Sequence, residues 1–201
     1  VVWDNGLPLK VLSLPERPAV SCIMPTRHRR RFVSQAIWYF LRQDFAAREL
    51  IVVDDGENSL ADLIPADPRI RYVRTSSSSV AVKRNLGCSL AGGEYIAHWD
   101  DETWYSPQRL AAQVHELQSS GAEVAALDRL LHYQPLTGRV WQRETNGPGR
   151  KAPHPGTLLY RRAYWHENHF SDGTRDGTPE FLRRVPPNRL AIQDGSCLAV
   201  A

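Results

Sequence analysis

Short apolar runs alternate along this chain with stretches whose apolar residues recur every three or four positions. Ala19-Val20-Ser21-Cys22-Ile23-Met24 is an apolar run of strand length stopped by Pro25, and the stretch from about Arg31 to Asp44 carries Val33, Ile37, Phe40 and Leu41 on one helical face. Glu49-Leu50-Ile51-Val52-Val53 and Arg69-Ile70-Arg71-Tyr72-Val73 read as further strands, the first ending in Asp54-Asp55-Gly56 and the second in the serine run 76–79. A helix is predicted from about Val80 to Ala91, and after the turn Gly92-Gly93 a short apolar strand runs straight into Asp100-Asp101-Glu102. Beyond Pro107 the pattern predicts a helix to about Ser120. Strands at Ala122–Leu131 and Arg139–Trp141 follow, able to pair across a turn at Gln134–Gly138. A glycine- and proline-rich loop is expected over Asn146–Gly156, then a strand at Thr157–Tyr160, a short helix at Asp176–Val185 and a last strand at Arg189–Ile192. Elements alternating at these lengths predict an α/β fold: a mostly parallel, Rossmann-like sheet flanked by helices, with a small antiparallel portion. Ligands of such a sheet collect beyond the carboxyl ends of its strands.

The 201 residues fit one domain, and a hydrophobic content of 42% is that of an ordinary globular protein. Residues 1–18, with three prolines and mixed polarity, read as an irregular arm, and 19–201 as the domain itself. The 25 basic and 22 acidic residues leave a formal charge of +3, too small an excess to argue for nucleic acid. Cys22, Cys88 and Cys197 are odd in number and far apart, which predicts buried free thiols rather than a disulfide framework or a zinc knuckle. Neither a membrane span nor a signal peptide is predicted, so a reducing, cytoplasmic setting is the default expectation.

Candidate chemistry changes this picture more than composition does. Three consecutive acids repel one another, and a fold keeps them at a strand end mainly when a cation sits between them; a divalent metal carrying a nucleoside diphosphate is the leading candidate. Asp54-Asp55-Gly56 taken alone reads as a turn, but with a second acid-tipped strand end in the same sheet both can face one crevice, where an Asp suits a nucleobase N–H or a ribose hydroxyl. In the helix after the serine run, Lys83 reads as part of a solvated face, whereas Arg84 and Asn85 stand beside the crevice and a guanidinium there can grip a diphosphate. The basic run Arg27-His28-Arg29-Arg30-Arg31 is mostly a solvated face, with Arg27 placed to contact nucleotide. Trp99, Trp104 and Trp141 are weighed as stacking surfaces for a sugar or acceptor ring against the commoner role of tryptophan in a core. No Gly-x-Ser-x-Gly elbow, Walker-type loop or Gly-x-Gly-x-x-Gly occurs, so serine hydrolase, P-loop NTPase and simple dinucleotide binder all lose support.

The pattern resembles the inverting glycosyltransferases of family 2, which have the GT-A fold. The residues that carry the resemblance are Ile23-Met24-Pro25-Thr26-Arg27, Ile51-Val52-Val53-Asp54-Asp55-Gly56, Val82-Lys83-Arg84-Asn85-Leu86-Gly87, Gly93 to Glu102, and Pro107-Gln108-Arg109-Leu110. They occur in the family's order and spacing, and the likeness runs from about residue 19 to 185. It implies a nucleotide-binding half over 19–107 and an acceptor half over 108–201. Pro25, Thr26 and Arg27 would line the nucleotide, Asp54 with Asp55 would hold base or ribose, Arg84 would approach base and phosphates, and Asp100 would face the ribose.

The family's Asp-x-Asp becomes Asp-Asp-Glu here, so the implied metal ligand is Asp101, with Asp100 or Glu102 as alternatives, for Mn2+ or Mg2+. The implied base that deprotonates the acceptor is Asp176, with Glu180 and Asp172 behind it; where relatives often carry Glu-Asp, this chain reads Arg175-Asp176. Asp176 also suits a helix N-cap. Gly156 to Arg162 resembles the segment bordering the acceptor pocket, and the Gln-x-x-Arg-Trp motif of processive relatives is absent. The resemblance thus implies a metal-dependent, inverting transfer of one sugar from a nucleoside diphosphate sugar to the hydroxyl of a glycan, a lipid-linked or a small-molecule acceptor. The rivals are a nucleotidylyltransferase, which would want glycine in the loop after the first strand, and a non-catalytic sugar-nucleotide binding module.

Overall fold

The computed structural model describes residues 3–4, 7–8, 19–76, 78–142, 153–172 and 177–200. In chain order the strands are β1 (Trp3–Asp4), β2 (Leu7–Pro8), β3 (Val20–Thr26), β4 (Arg48–Asp54), β5 (Ile70–Arg74), β6 (Tyr95–His98), β7 (Trp104–Tyr105), β8 (Val124–Asp128), β9 (Leu131–Gln134), β10 (Arg139–Gln142), β11 (Leu159–Arg161), β12 (Leu190–Asp194) and β13 (Ala199–Val200). The α-helices are α1 (Arg30–Leu41), α2 (Val80–Leu90), α3 (Arg109–Ser120), α4 (Arg162–Glu167) and α5 (Thr178–Arg183). Among the described residues, the main sheet has the order β12-β8-β11-β6-β3-β4-β5, and a second sheet has the order β10-β9-β13-β7. β1 and β2 form a two-residue antiparallel ladder at the start of the chain.

Every neighbour in the main sheet is parallel except β11, which runs antiparallel to both β6 and β8. The mostly parallel sheet with a small antiparallel portion is therefore as the pattern predicts. Both faces are covered, as a parallel sheet requires. Alternate residues of β3 and β4 divide between the faces. Cys22, Met24, Leu50 and Val52 pack with Val33, Ile37 and Phe40 of α1 and with Leu110 and Leu117 of α3. Ile23, Ile51 and Val53 pack with Ala81 and Cys88 of α2 and with Phe181 of α5.

Several elements differ from the pattern. β3 passes through Pro25 to Thr26, because the Ile23 carbonyl accepts from Trp99 on the β6 side and Pro25, two residues on, faces the same side after that ladder has ended at Ile23 opposite His98. The strand expected over 122–131 is two strands. Arg129 has φ of 49° and turns the chain out of the main sheet, so that β9, and not β8, pairs with β10. β6 ends at His98, which leaves the acids in a turn rather than on the strand. Of the three thiols, Cys22 and Cys88 are buried, and burial pushes both up to about 12, but Cys197 is exposed. No helix among the described residues is long and apolar enough to cross a membrane.

α2 lies unusually close to the sheet. A Cβ built on Gly87 would stand 2.5 Å from Ile23 Cγ2 and 3.4 Å from Val53 Cγ2. Two effects oppose each other in Gly87→Ala: helix propensity gains about 1 kcal/mol, and overpacking of a core costs about 1–3 kcal/mol. We expect the clash to win by about 1 kcal/mol, read as a lower urea midpoint at unchanged slope.

Candidate active site

The carboxyl ends of β3, β4, β5 and β6 form one edge, with Thr26, Asp54 and Arg74 level with one another. A cavity of about 550 Å³ opens there, lined by Pro25 and Thr26 at the end of β3, by Arg27 and Arg29 of the loop that follows, by Ser78 and Ser79 before α2 and Val80, Lys83 and Arg84 at its start, and by Asp100, Asp101 and Glu102. Basic side chains thus face the acid turn across one space.

Asp101 is 6% exposed, and its Oδ2 accepts from the Thr26 hydroxyl at 2.7 Å while Oδ1 accepts from Arg29 at 3.2 Å. Arg29 also pairs with the exposed Glu102. Burial pushes the Asp101 carboxyl above its ordinary value, against the Thr26 hydrogen bond and the Arg29 charge; Glu102 and Asp100 add to the rise. Asp100 is half-buried. Its N–H donates to the Tyr105 hydroxyl at 3.1 Å, and that hydroxyl donates to the Gly156 carbonyl at 2.9 Å. A Cβ on Gly156 would lie 2.1 Å from Asp100 Oδ2, so any side chain there would have to displace that carboxylate.

Asp54 and Asp55 stand behind the cavity wall. Asp54 is fully buried, and its oxygens accept from the Tyr72 hydroxyl at 2.6 Å, from Arg74 at 2.8 Å and from the Gly56 N–H at 2.8 Å. Asp55 accepts from Lys83 at 2.6 Å and from the Ser78 N–H at 3.0 Å, with Arg27 at 3.9 Å. Lys83 is 3% exposed and also donates to the Thr26 carbonyl at 3.0 Å, so the solvated helix face expected for it is corrected: it is a buried cation tying α2 to β3 and β4. Burial works to raise the Asp55 carboxyl, but the Lys83 and Ser78 hydrogen bonds, with the charges of Lys83 and Arg27, hold it below its ordinary value of 3.8.

Arg84 is 4% exposed, donates to Thr178 Oγ1 at 2.6 Å and lies 3.7 Å from Asp100 Oδ1. It therefore spans the cavity from the acid turn to the first residue of α5. Asp172 accepts from Ser79 at the cavity rim, and Glu180 pairs with Arg183 at 2.6 Å. Asp176 lies outside the described residues; Gly177, which follows it, has φ of 70°, and a Cβ there would stand 2.8 Å from the Ser171 carbonyl and 3.1 Å from Ala81 Cβ of α2. Trp99 is not a stacking surface. It is fully buried, donates from its indole N–H to the Ala36 carbonyl at 3.1 Å and packs against Tyr105 and Phe40. Trp141 is half-exposed and stacks on His132, away from the cavity.

Two residues gain a role that the pattern did not give them. Arg29, hidden in a basic run, reaches back to the acids. Arg109 is fully buried, donates from Nε to Gln113 at 3.0 Å and lies over Tyr105 and Trp99 at 4.0 and 5.4 Å, while neither terminal nitrogen has a hydrogen-bond partner among the described residues. Its charge is held against the two rings that back the acid turn. His98 is driven well below 6.5 by burial and by the Arg84 charge, so it is neutral, and its Nδ1 faces the Pro155 carbonyl at 2.8 Å.

The donor set fits a hard divalent cation: carboxylate oxygens in a polar cavity, already attracting one cationic side chain. Among the described residues no three metal-ligating side chains converge.

A family model described as glycosyl transferase family 2 matches residues 21–177. The chain belongs to this family. WcaA of Escherichia coli (strain K12), named as a colanic acid biosynthesis glycosyl transferase, is 32% identical over 158 residues, covering 74% of this chain and 55% of that relative. The chain thus spans little more than half of that family 2 protein. Among solved structures, S. aureus TarS 1–349 superposes with a TM-score of 0.70 at 16% identity over 90% of this chain and 60% of that one. The mannosyltransferase PcManGT from Pyrobaculum calidifontis, in complex with GDP-Man and Mn2+, superposes with a TM-score of 0.67 at 15% identity over 95% of this chain and 61% of that one. These likenesses give the family 2 chain the GT-A fold.

Removing Lys83 leaves Asp55 buried beside no ammonium, and breaking a buried pair costs about 3 kcal/mol. We expect Lys83→Met to lose about that much in chemical denaturation at neutral pH. Because Asp55 titrates below 3.8 when folded, the pair stabilises fully above that value and the contribution fades as the pH falls through the folded pKa. The gap between variant and wild type should therefore narrow in acid; a gap that widens there would refute the pairing.

Proposed function

We propose that this family 2 domain is a metal-dependent, inverting, non-processive glycosyltransferase that moves one sugar from a nucleoside diphosphate sugar to an acceptor hydroxyl. The observation that carries the reading is the cavity in which Arg27, Arg29 and Arg84 face Asp100, Asp101 and Glu102. A diphosphate needs cationic donors and its metal needs carboxylate oxygens, and the same 550 Å³ holds both. Two structural relatives support the ligand class: TarS has been solved in complex with UDP-GlcNAc, and PcManGT with GDP-Man and Mn2+.

In this reading Pro25, Thr26 and Arg27 line the nucleotide, whereas Asp54 and Asp55, expected to hold base or ribose, have side chains closed off by their own partners and support that wall from behind. Asp101 is the first protein ligand of the metal, with Glu102 and Asp100 as its neighbours and Asp100 towards the ribose. When bound, a divalent metal would stabilise the negative charge of the leaving diphosphate. Arg84 holds Asp100 in place and adds positive charge on the phosphate side. Asp176 takes the proton from the acceptor hydroxyl, on the opposite side of the anomeric carbon from the departing diphosphate, which inverts the centre. Behind it as alternatives stand Glu180, which pairs with Arg183, and Asp172, which accepts from Ser79.

The test is transfer from a panel of nucleoside diphosphate sugars with Mn2+ or Mg2+. Asp101→Ala and Asp176→Asn should each lower kcat/KM by about a hundredfold or more. Asp176→Asn should leave donor binding intact, read as a thermal shift with UDP and Mn2+; a ligand at 100 times its Kd adds about 2.7 kcal/mol. Undiminished transfer in both variants would overturn the assignment.

A further inference from the structure

We infer that Arg29 is the resident counter-ion of the acid turn, which an incoming divalent cation must displace. The inference rests on the metal-dependent reading above and concerns what occupies the acids before the metal does.

Arg29 follows His28, whose φ of 56° is a left-handed backbone at a residue that is not glycine. This turn reverses the chain just beyond β3. Gly56 of the neighbouring loop lies close against it, where a Cβ would stand 3.2 Å from the His28 nitrogen. The reversal throws Arg29 back over the edge of the sheet, where one nitrogen, Nη1, serves both Asp101 Oδ1 and Glu102 Oε2. The remaining oxygen of Asp101 is taken by the Thr26 hydroxyl. Both oxygens of Asp101 and one of Glu102 therefore already hold hydrogen bonds, and a metal entering there competes with the guanidinium for them.

Arg29 is built to leave. Its side chain is 41% exposed while that of Asp101 is 5% exposed, so the acid is enclosed and its partner borders solvent on the cavity wall. An ion pair with one partner open to solvent is screened and weakened, so a dication can compete for its acid. The neighbouring arginines have other engagements: Arg27 lies by Asp55 and Arg30 pairs with Asp62. Once displaced, the Arg29 guanidinium remains beside the cavity, where phosphate oxygens provide a new partner of the same sign as the one it lost. Arg29 is thus a positioning residue for the metal's ligands, exchanging one anionic partner for another as the site fills.

The experiment titrates Mn2+ alone, without nucleotide, into wild type, Arg29→Gln and Arg29→Lys, with free Mn2+ followed by electron paramagnetic resonance. Removing a competing charge should tighten Mn2+ binding by Arg29→Gln about tenfold. Arg29→Lys, which keeps the charge, should stay near wild type. Equal or weaker Mn2+ binding by Arg29→Gln would overturn the inference, as would tightening of the same size in Arg29→Lys. If wild type binds no Mn2+ even with UDP present, the metal-dependent reading fails and this inference with it. Circular dichroism and melting confirm that each variant is folded, and Arg29→Met replaces Arg29→Gln if the latter is not.

Discussion

The site depends on a constraint that has little to do with its ligand: three carboxylates, Asp54, Asp55 and Asp101, are each 6% exposed or less at one edge of a parallel sheet. Buried carboxylates must find donors, and in a parallel sheet the donors must come from other elements. Asp54 draws on Tyr72 and Arg74 of β5, Asp55 on Lys83 of α2, and Asp101 on Thr26 of β3. Each acid therefore joins its own strand end to a different neighbour. The edge is stiff because its charges are shared.

α2 is the element that turns this edge into a cavity. Its glycine lets it sit close to β3, its buried lysine locks it to β3 and β4, and the residues around these reach the late part of the chain. Arg84 bonds Thr178, Asn85 donates to the Phe170 carbonyl at 2.8 Å and accepts from the Trp165 indole at 3.0 Å, and Ser79 meets Asp172. Phe170 and Thr178 are thus both held to a helix whose start also lines the cavity.

Much of this was legible in the sequence because it depends on local pattern. Apolar runs marked the strands, and acids at two strand ends marked the edge where the cavity lies. What was not legible depends on partners far apart in the chain. Lys83 looks like any lysine on a helix until Asp55 is seen beneath it. Arg129 carries no signal for a left-handed backbone, so one strand was expected where there are two. Trp99 could have been placed by alternation, since Ala97 and Trp99 share the face packed by α1 and α3, had β6 been known to keep its period for one residue past its last rung. Arg29 was obscured by its neighbours, because four other basic or imidazole side chains around it carry the same label and do not reach the acids.

The second sheet has an origin that bears on how such a domain can vary. β7, β9 and β13 each follow directly from a strand of the main sheet: β6 through the acid turn, β8 through Arg129, and β12 through the turn at Gly195, where a Cβ would meet the Asp128 carbonyl at 2.5 Å. Three strands leave one sheet and enter another within a few residues, like threads passing through a seam. Length added beyond the seam, as at the β9–β10 hairpin tip, enlarges the second sheet without shifting any rung of the first. Length added within it would move the acids themselves. The seam thereby separates what can drift between relatives, the outer sheet, from what must stay in register, the edge that carries the acids.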